Sequence, residues 1–278
     1  MISRRRMTGG LLAGMLATPL LARPARAQQG ESAMERVLRT KRLRYGVVSA
    51  QPPYSWKDPA TGAWRGFMVD ITADLAGQLG AVMEPVESTW GTAVLDAQAG
   101  KVDIFFGLGP SPERAKAVDF VKPLYQNAFS LIAREGFNPT RWKDLDDPSV
   151  RVAIEIGSIY DLNIGQLCPN ATVIRLRTNN EAMLSVQARR ADCQILAIIL
   201  ALTSLSRGVD LGHLIVPEPQ FLYPTSGIVA KEPDQAWRNY VDGWIDQRRG
   251  AGDLRRMLVA NLVLSGVNPE DVPAQMLF

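Results

Sequence analysis

The chain has one histidine, His213, in 278 residues. That scarcity excludes the His pairs and Cys–His neighbourhoods on which most zinc sites and many nucleophilic sites are built. His213 follows Gly212 in a stretch that reads as a surface loop. The two cysteines, Cys168 and Cys193, are too few for a disulfide framework. An oxidising compartment permits one bridge between them; two separate, small buried residues are the other reading. No phosphate-cradling glycine loop and no nucleophile elbow is present. No metal, no cofactor and no catalytic residue is expected. Charge is modest at 21% of residues, which argues against disorder, and apolar content of 46% is ample for a packed core.

The first 27 residues hold five basic side chains (Arg4, Arg5, Arg6, Arg23, Arg26) and no acid. The apolar run 11–21, diluted by Gly14, Thr18 and Pro19, is too short to span a bilayer. Ala25-Arg26-Ala27 is a small-x-small cleavage site. Residues 1–27 therefore read as an export signal, with Ser3-Arg4-Arg5-Arg6-Met7 resembling a twin-arginine motif. Without them the formal charge falls from +3 to −2. A chain so near neutrality gives no reason to expect nucleic acid or anionic lipid as a partner.

Strand and helix patterns alternate, which favours parallel sheets with crossover helices. Strands are expected at 43–48, 102–106, 150–156, 172–176, 192–197 and 226–230. A helix is expected over 69–79, another after the capping box Thr178-x-x-Glu181, and a closing helical pair over 234–249 and 253–264. One device occurs twice: Leu95-x-x-Gln98-Ala99-x-x-x-Asp103 is echoed by Leu184-x-x-Gln187-Ala188-x-x-x-Asp192. The echo suggests two lobes of related α/β architecture.

The stretch 107–125, GLGPSPERAKAVDFVKPLY, carries the most chemistry. It leaves a buried strand, turns through Gly109 and Pro110, and starts a helix with Ser111 as N-cap and Pro112 at the first helical position. Arg114 then lies in the opening helical turn. Free N–H groups, the positive helix end and a guanidinium fork meet there, a place to hold a carboxylate. The plainer reading is a strand–turn–helix with a surface Arg.

This stretch resembles the "T-P-E-R … V-D-F-S-x-P-Y" signature of bacterial periplasmic solute-binding proteins, family 3, the polar amino-acid binding proteins of ABC transporters. Residues 43–56 (LRYGVVSAQPPYSW), 66–71 (GFMVDI), 95–103 (LDAQAGKVD) and 142–158 (WKDLDDPSVRVAIEIGS) match further family motifs in order. The resemblance implies a type II periplasmic binding protein fold. Two lobes, each a mostly parallel sheet flanked by helices, are joined by a two-strand hinge. Residues 28–127 and 225–278 would form lobe one and 128–224 lobe two. It also implies a monomer in the periplasm that binds a small solute in the interlobe cleft and serves a membrane permease.

By the same resemblance Arg114 holds a ligand carboxylate. The family's helping hydroxyls are replaced here by Gly107 and Gly109, on a loop one residue shorter than usual; their N–H groups remain as donors. Trp90 falls where the family places a wall over the ligand side chain, and it also reads as a core residue at a strand–helix junction. Gln51, Tyr54 and Trp56 follow the first strand and face the cleft, with Tyr54 as the packing residue of the three. Trp64 reads as part of a surface turn. Ser158 matches a hydroxyl at a helix N-terminus and is either a plain cap or a carboxylate donor. Ile159 replaces a frequent hydroxyl, and Tyr160 points near the cleft. At Ala197 the family has an Asp that binds the α-ammonium of the ligand, and no carboxylate follows through Ser204. An ammonium in a desolvated cleft needs a compensating charge. Either the ligand lacks one or another acid supplies it. Glu155 is that candidate, unless it is a solvated strand-end residue. The expected function is binding of a small carboxylate-bearing solute, an amino acid or a similar acid, without catalysis. The alternatives are a cyclohexadienyl-dehydratase-like enzyme with Glu155 as its acid, or an accessory protein that has lost ligand binding.

Overall fold

Residues 31–207, 211–231 and 235–272 are described by the computed structural model. The export signal expected over 1–27, and Asp234 at the expected start of the first closing helix, lie outside them. The order begins α1 (Ala33–Thr40), β1 (Arg42–Val47), β2 (Trp56–Lys57), β3 (Trp64–Arg65), α2 (Phe67–Gln78) and β4 (Val82–Glu87). It continues α3 (Ala93–Gln98), β5 (Phe105–Leu108), α4 (Pro112–Ala117), β6 (Val118–Phe120) and the long β7 (Tyr125–Ala133). Next come β8 (Arg151–Glu155), α5 (Ile159–Leu167), β9 (Thr172–Leu176), α6 (Asn179–Gln187), β10 (Cys193–Ala197), α7 (Ile198–Leu205) and β11 (His213–Ile215). A second long strand, β12 (Leu222–Ala230), precedes α8 (Gln235–Gly250) and α9 (Asp253–Leu264). Among the described residues no helix is long and apolar enough to cross a membrane.

Caps explain several helix starts. The Ser111 Oγ accepts from the Arg114 N–H at 3.2 Å, and Pro112 takes the first helical position of α4. Ser158 caps α5 through the Asp161 N–H at 3.2 Å. Thr178 caps α6 through the Glu181 N–H at 3.1 Å. The return half of the expected capping box is not made. The Glu181 carboxylate accepts instead from the Arg177 N–H at 2.9 Å.

The architecture is α/β, with a mixed sheet flanked by helices. Two long strands carry it. Tyr125–Ala128 of β7 pair antiparallel with Leu222–Thr225 of β12. Beyond that pairing the two strands diverge. The rest of β7 runs between β10 and β11, with β8 and β9 parallel beyond β10. The rest of β12 pairs with β5 and β6. Parallel β1 and β4 join the β5 side through one bridge, Tyr45 to Ile104. Helices α8 and α9 pack back on α2. Arg248 grips Asp74 with bonds of 2.7 and 2.8 Å, Trp244 donates to the same carboxylate at 2.8 Å, and Asn261 donates to Asp70 at 2.7 Å.

The echo seen in the sequence is a repeated clamp. Asp103, just before β5, accepts from the backbone N–H of Arg44 at 2.7 Å and from the guanidinium groups of Arg44 and Arg36. Asp192, just before β10, accepts from the backbone N–H of Arg151 at 2.9 Å and from the guanidinium groups of Arg151 and Arg134. Each carboxylate thereby ties a helix exit to the opening of a neighbouring strand. Burial acts to raise the Asp192 pKa, but the Arg151 and Arg134 bonds outweigh it and hold the carboxyl at about 2.

Three further expectations change. The strand expected at 102–106 begins at Phe105 and runs to Leu108, because Asp103 turns to its arginines and Ile104 makes only the single bridge. Trp64 belongs to a two-stranded hairpin with Trp56 and Lys57, and the Lys57 ammonium sits over its ring. His213 is half-buried in β11 against β7 rather than in an exposed loop. Cys168 and Cys193 are both buried free thiols, as the two-separate-residues reading has it.

Candidate functional site

Arg114, at the third position of α4, is 7% exposed. Its Nη1 donates to the Gly109 carbonyl at 2.9 Å and its Nη2 to the Gly157 carbonyl at 2.7 Å. Gly109 follows β5, whereas Gly157 follows β8, so one guanidinium spans two separate parts of the sheet. Among the described residues Arg114 makes no ion pair with a carboxylate. Burial lowers its pKa to about 10. A buried cation held only by carbonyl oxygens remains under-compensated, which suits it to an anion.

Arg114 lines a cavity of about 20 Å³. Gln51, Tyr54, Trp90, Gly107, Gly109, Ser158 and Tyr160 line it too. The structure therefore gathers eight of the nine sequence-derived site residues around one space. The ninth, Glu155, stands directly behind Gln51. A cavity of that size holds roughly one water molecule. A solute as large as an amino acid enters only if the walls separate.

The two glycines have steric causes. Gly107 has φ +101°, and a Cβ there would sit 3.1 Å from the Trp90 ring. A Cβ at Gly109 would lie 2.8 Å from Ile159 Cγ1. Side-chain hydroxyls at these positions would collide with residues that already fill the space. Trp90 stands between cavity and core. Its ring lines the cavity and also packs against Phe105 at 5.9 Å between centroids.

Ser158 is 3% exposed; its oxygen caps α5 while its residue lines the cavity. The Tyr160 hydroxyl accepts from the Ala197 N–H at 2.8 Å and lies 3.4 Å from the Tyr223 hydroxyl. Tyr54 both packs and lines the cavity. Its hydroxyl accepts from Tyr125 and from Asn127 Nδ2, each at 2.8 Å, and burial pushes its pKa up to about 12. Trp56 does not join this set; it lines a separate groove with Lys57, Glu87 and Arg207.

Glu155 corrects the reading of a solvated strand end. It closes β8, is 6% exposed, and receives Gln51 Nε2 on both oxygens at 3.0 and 2.8 Å. Burial pushes its pKa up to about 7, opposed by hydrogen bonds from Gln51 and Trp90. Ala197 is fully buried at the end of β10 and brings no charge. No carboxylate lines the cavity among the described residues. Tyr223, Leu108 and Leu200, which the sequence does not mark, complete the lining with Ile159, which stands where the family has a frequent hydroxyl. Tyr223 lies in a long strand whose residues alternate between faces, and no motif marks it.

Residues 43–260 match the profile of bacterial extracellular solute-binding proteins, family 3. The chain is 24% identical over 247 residues to a cyclohexadienyl dehydratase of Pseudomonas aeruginosa, covering 87% of this chain and 91% of that one. It is 26% identical over 175 residues to a glutamine-binding protein of Geobacillus stearothermophilus, covering 62% of this chain and 66% of the relative. Most of the curated relatives are named as binding proteins rather than enzymes. Among solved structures, an ancestral amino acid-binding protein described as a precursor of cyclohexadienyl dehydratase is 26% identical with a TM-score of 0.75, over 83% of this chain and all of that one. A solute receptor for L-cysteine from Neisseria gonorrhoeae shares the fold, with a TM-score of 0.78 at 22% identity over 88% of this chain and 99% of that one. The fold is that of a type II periplasmic binding protein.

Proposed function

The chain belongs to the bacterial extracellular solute-binding proteins of family 3, and from that premise we propose that it grips a small carboxylate-bearing solute at Arg114 and delivers it to an ABC importer. The observation that carries this reading is the buried guanidinium bridging the Gly109 and Gly157 carbonyls without an acid partner. A ligand carboxylate would supply the missing counter-charge, with Ser158 and the start of α5 as further donors. Gly107, Trp90, Tyr54 and Tyr160 would shape the remaining wall.

On this reading residues 28–127 and 225–278 form one lobe and 128–224 the other. Strands β7 and β12 are the crossing pair, and separation about them opens the cavity. Binding energy then drives the two walls together, and the closed form docks on the permease. The protein acts as a monomer in the periplasm after removal of 1–27. Calorimetry against small carboxylic acids tests the reading. At least one acid should bind, and Arg114→Ala should abolish that binding while the melting temperature stays near wild type. Undiminished affinity in the variant would remove Arg114 from the site. No binding by any acid would favour an accessory protein that kept the fold alone.

One observation favours a second reading, a cyclohexadienyl-dehydratase-like activity. Glu155, with its carboxyl raised to about 7 by burial, is suited to general-acid work near neutral pH. Turnover of prephenate or arogenate would establish that reading, and both compounds recovered unchanged would dismiss it.

A further inference from the structure

Gln51 is 2% exposed and lines the cavity that holds Arg114. A buried primary amide has a donor end and an acceptor end, and both need partners. The donor end is committed: Nε2 lies 3.0 and 2.8 Å from the two oxygens of Glu155. The acceptor end is not. Gln51 Oε1 is buried with no hydrogen-bond partner. The other polar side chains of the lining are Arg114, Trp90, Ser158 and tyrosines, all of which can donate. Gln51 Oε1 is thus the one side-chain atom of the described lining that can only accept. An ionised carboxylate accepts and cannot donate, so Glu155 fixes which way the amide faces.

We propose that Gln51 determines specificity: with the solute carboxylate on Arg114, Gln51 Oε1 accepts from an O–H or N–H group carried near that carboxylate, and Glu155 is the positioning residue that holds the amide in this sense. The inference rests on the carboxylate reading above and narrows it. Hydroxy or amino acids are favoured over the matching oxo acids and unsubstituted acids, because an oxo group would set one acceptor against another and leave both buried without partners. A buried acceptor left unsatisfied weakens binding about 10- to 100-fold. The ammonium of an amino acid and the hydroxyl of a hydroxy acid offer the same donor chemistry, and the test separates them.

The test is calorimetry on the full chain with two series that differ only at the carbon beside the carboxylate. One is lactate, alanine, pyruvate and propionate. The other is phenyllactate, phenylalanine, phenylpyruvate and phenylpropionate. The expected result in wild type at pH 8 is that the hydroxy or the amino member of a series binds at least about 10-fold more tightly than its oxo member. Gln51→Met should level that preference. Glu155→Gln should level it as well, since two amides pair in either sense, while binding that depends on Arg114 persists. If Gln51→Met does not fold, Glu155→Gln decides.

A pH series adds a readout that loss of packing would not give. Gln51 donates to Glu155, the nearby Trp90 indole acts to lower its pKa, and the Tyr160 hydroxyl is the titratable group beside it. As pH falls from 8 to 5.5 the protonated Glu155 can donate to Gln51 Oε1, so the wild-type preference should shrink; in Glu155→Gln it should stay flat. Equal affinity for oxo and hydroxy members in wild type, or a preference that survives in both variants, overturns the role of Gln51 but leaves the carboxylate site standing. If no acid of either series binds wild type, the carboxylate reading fails and this inference fails with it.

Discussion

Gly157 and Gly91 meet backbone to backbone: a Cβ built on Gly157 would lie 2.6 Å from the Gly91 Cα and 2.8 Å from its nitrogen. Gly157 also has φ +74°, where an L side chain is strained. The contact brings the turn after β8 against the loop that carries Trp90. Gly157→Ala should therefore prevent the two walls from meeting. The expected outcome is a larger radius of gyration than wild type by small-angle scattering. An unchanged radius would show that the approach tolerates a methyl group.

Arg114→Lys tests the geometry of the guanidinium rather than its charge. A lysine keeps the charge but not the planar fork that reaches the Gly109 and Gly157 carbonyls together. Acid binding should weaken at least about 10-fold by calorimetry, as for loss of one charge-assisted bond. Wild-type affinity in the lysine variant would mean that charge alone suffices.

Glu155 makes stability depend on pH in an unusual direction. Its pKa rises from 4.5 to about 7 on folding, because burial disfavours the charged form. Between those values the folded chain keeps a proton that the unfolded chain has released, so stability falls as pH rises through the window. Glu155→Gln removes that loss. Urea unfolding should show the variant gaining about 2–3 kcal/mol over wild type at pH 8 relative to pH 4.5. Parallel pH profiles for the two proteins would exclude a buried, neutral Glu155.

The repeated clamp predicts matched effects. Asp103→Ala and Asp192→Ala each strip a carboxylate from two arginines and a backbone N–H. Each should cost about 3 kcal/mol in chemical denaturation. A loss below 1 kcal/mol at either position would show that its arginines are satisfied by solvent.

Much of this arrangement is legible in the sequence, and the reasons are local. The Ser111-Pro112 start of α4 places Arg114 by cap chemistry alone; the Asp103 and Asp192 echo shows in the sequence as a repeat, but the arginines of the clamp stand 41 to 67 residues away and carry no local signal. Glu155 was harder to read, because its burial depends on Gln51, 104 residues away. Separation along the chain likewise hides the close approach of Ile159 to Gly109, which explains a glycine that spacing alone could only record. Tyr223 carries no signal in the sequence because a tyrosine inside a strand looks alike whether it faces a core or a cleft.

The placement of Trp90 has a practical consequence. It is the one tryptophan of six that lines the cavity, its indole edge near Gly107. On the proposed reading a solute arriving beside it would alter the polarity around that indole and leave the other five largely undisturbed. The protein would then carry an intrinsic optical gauge of occupancy, readable by fluorescence without any label.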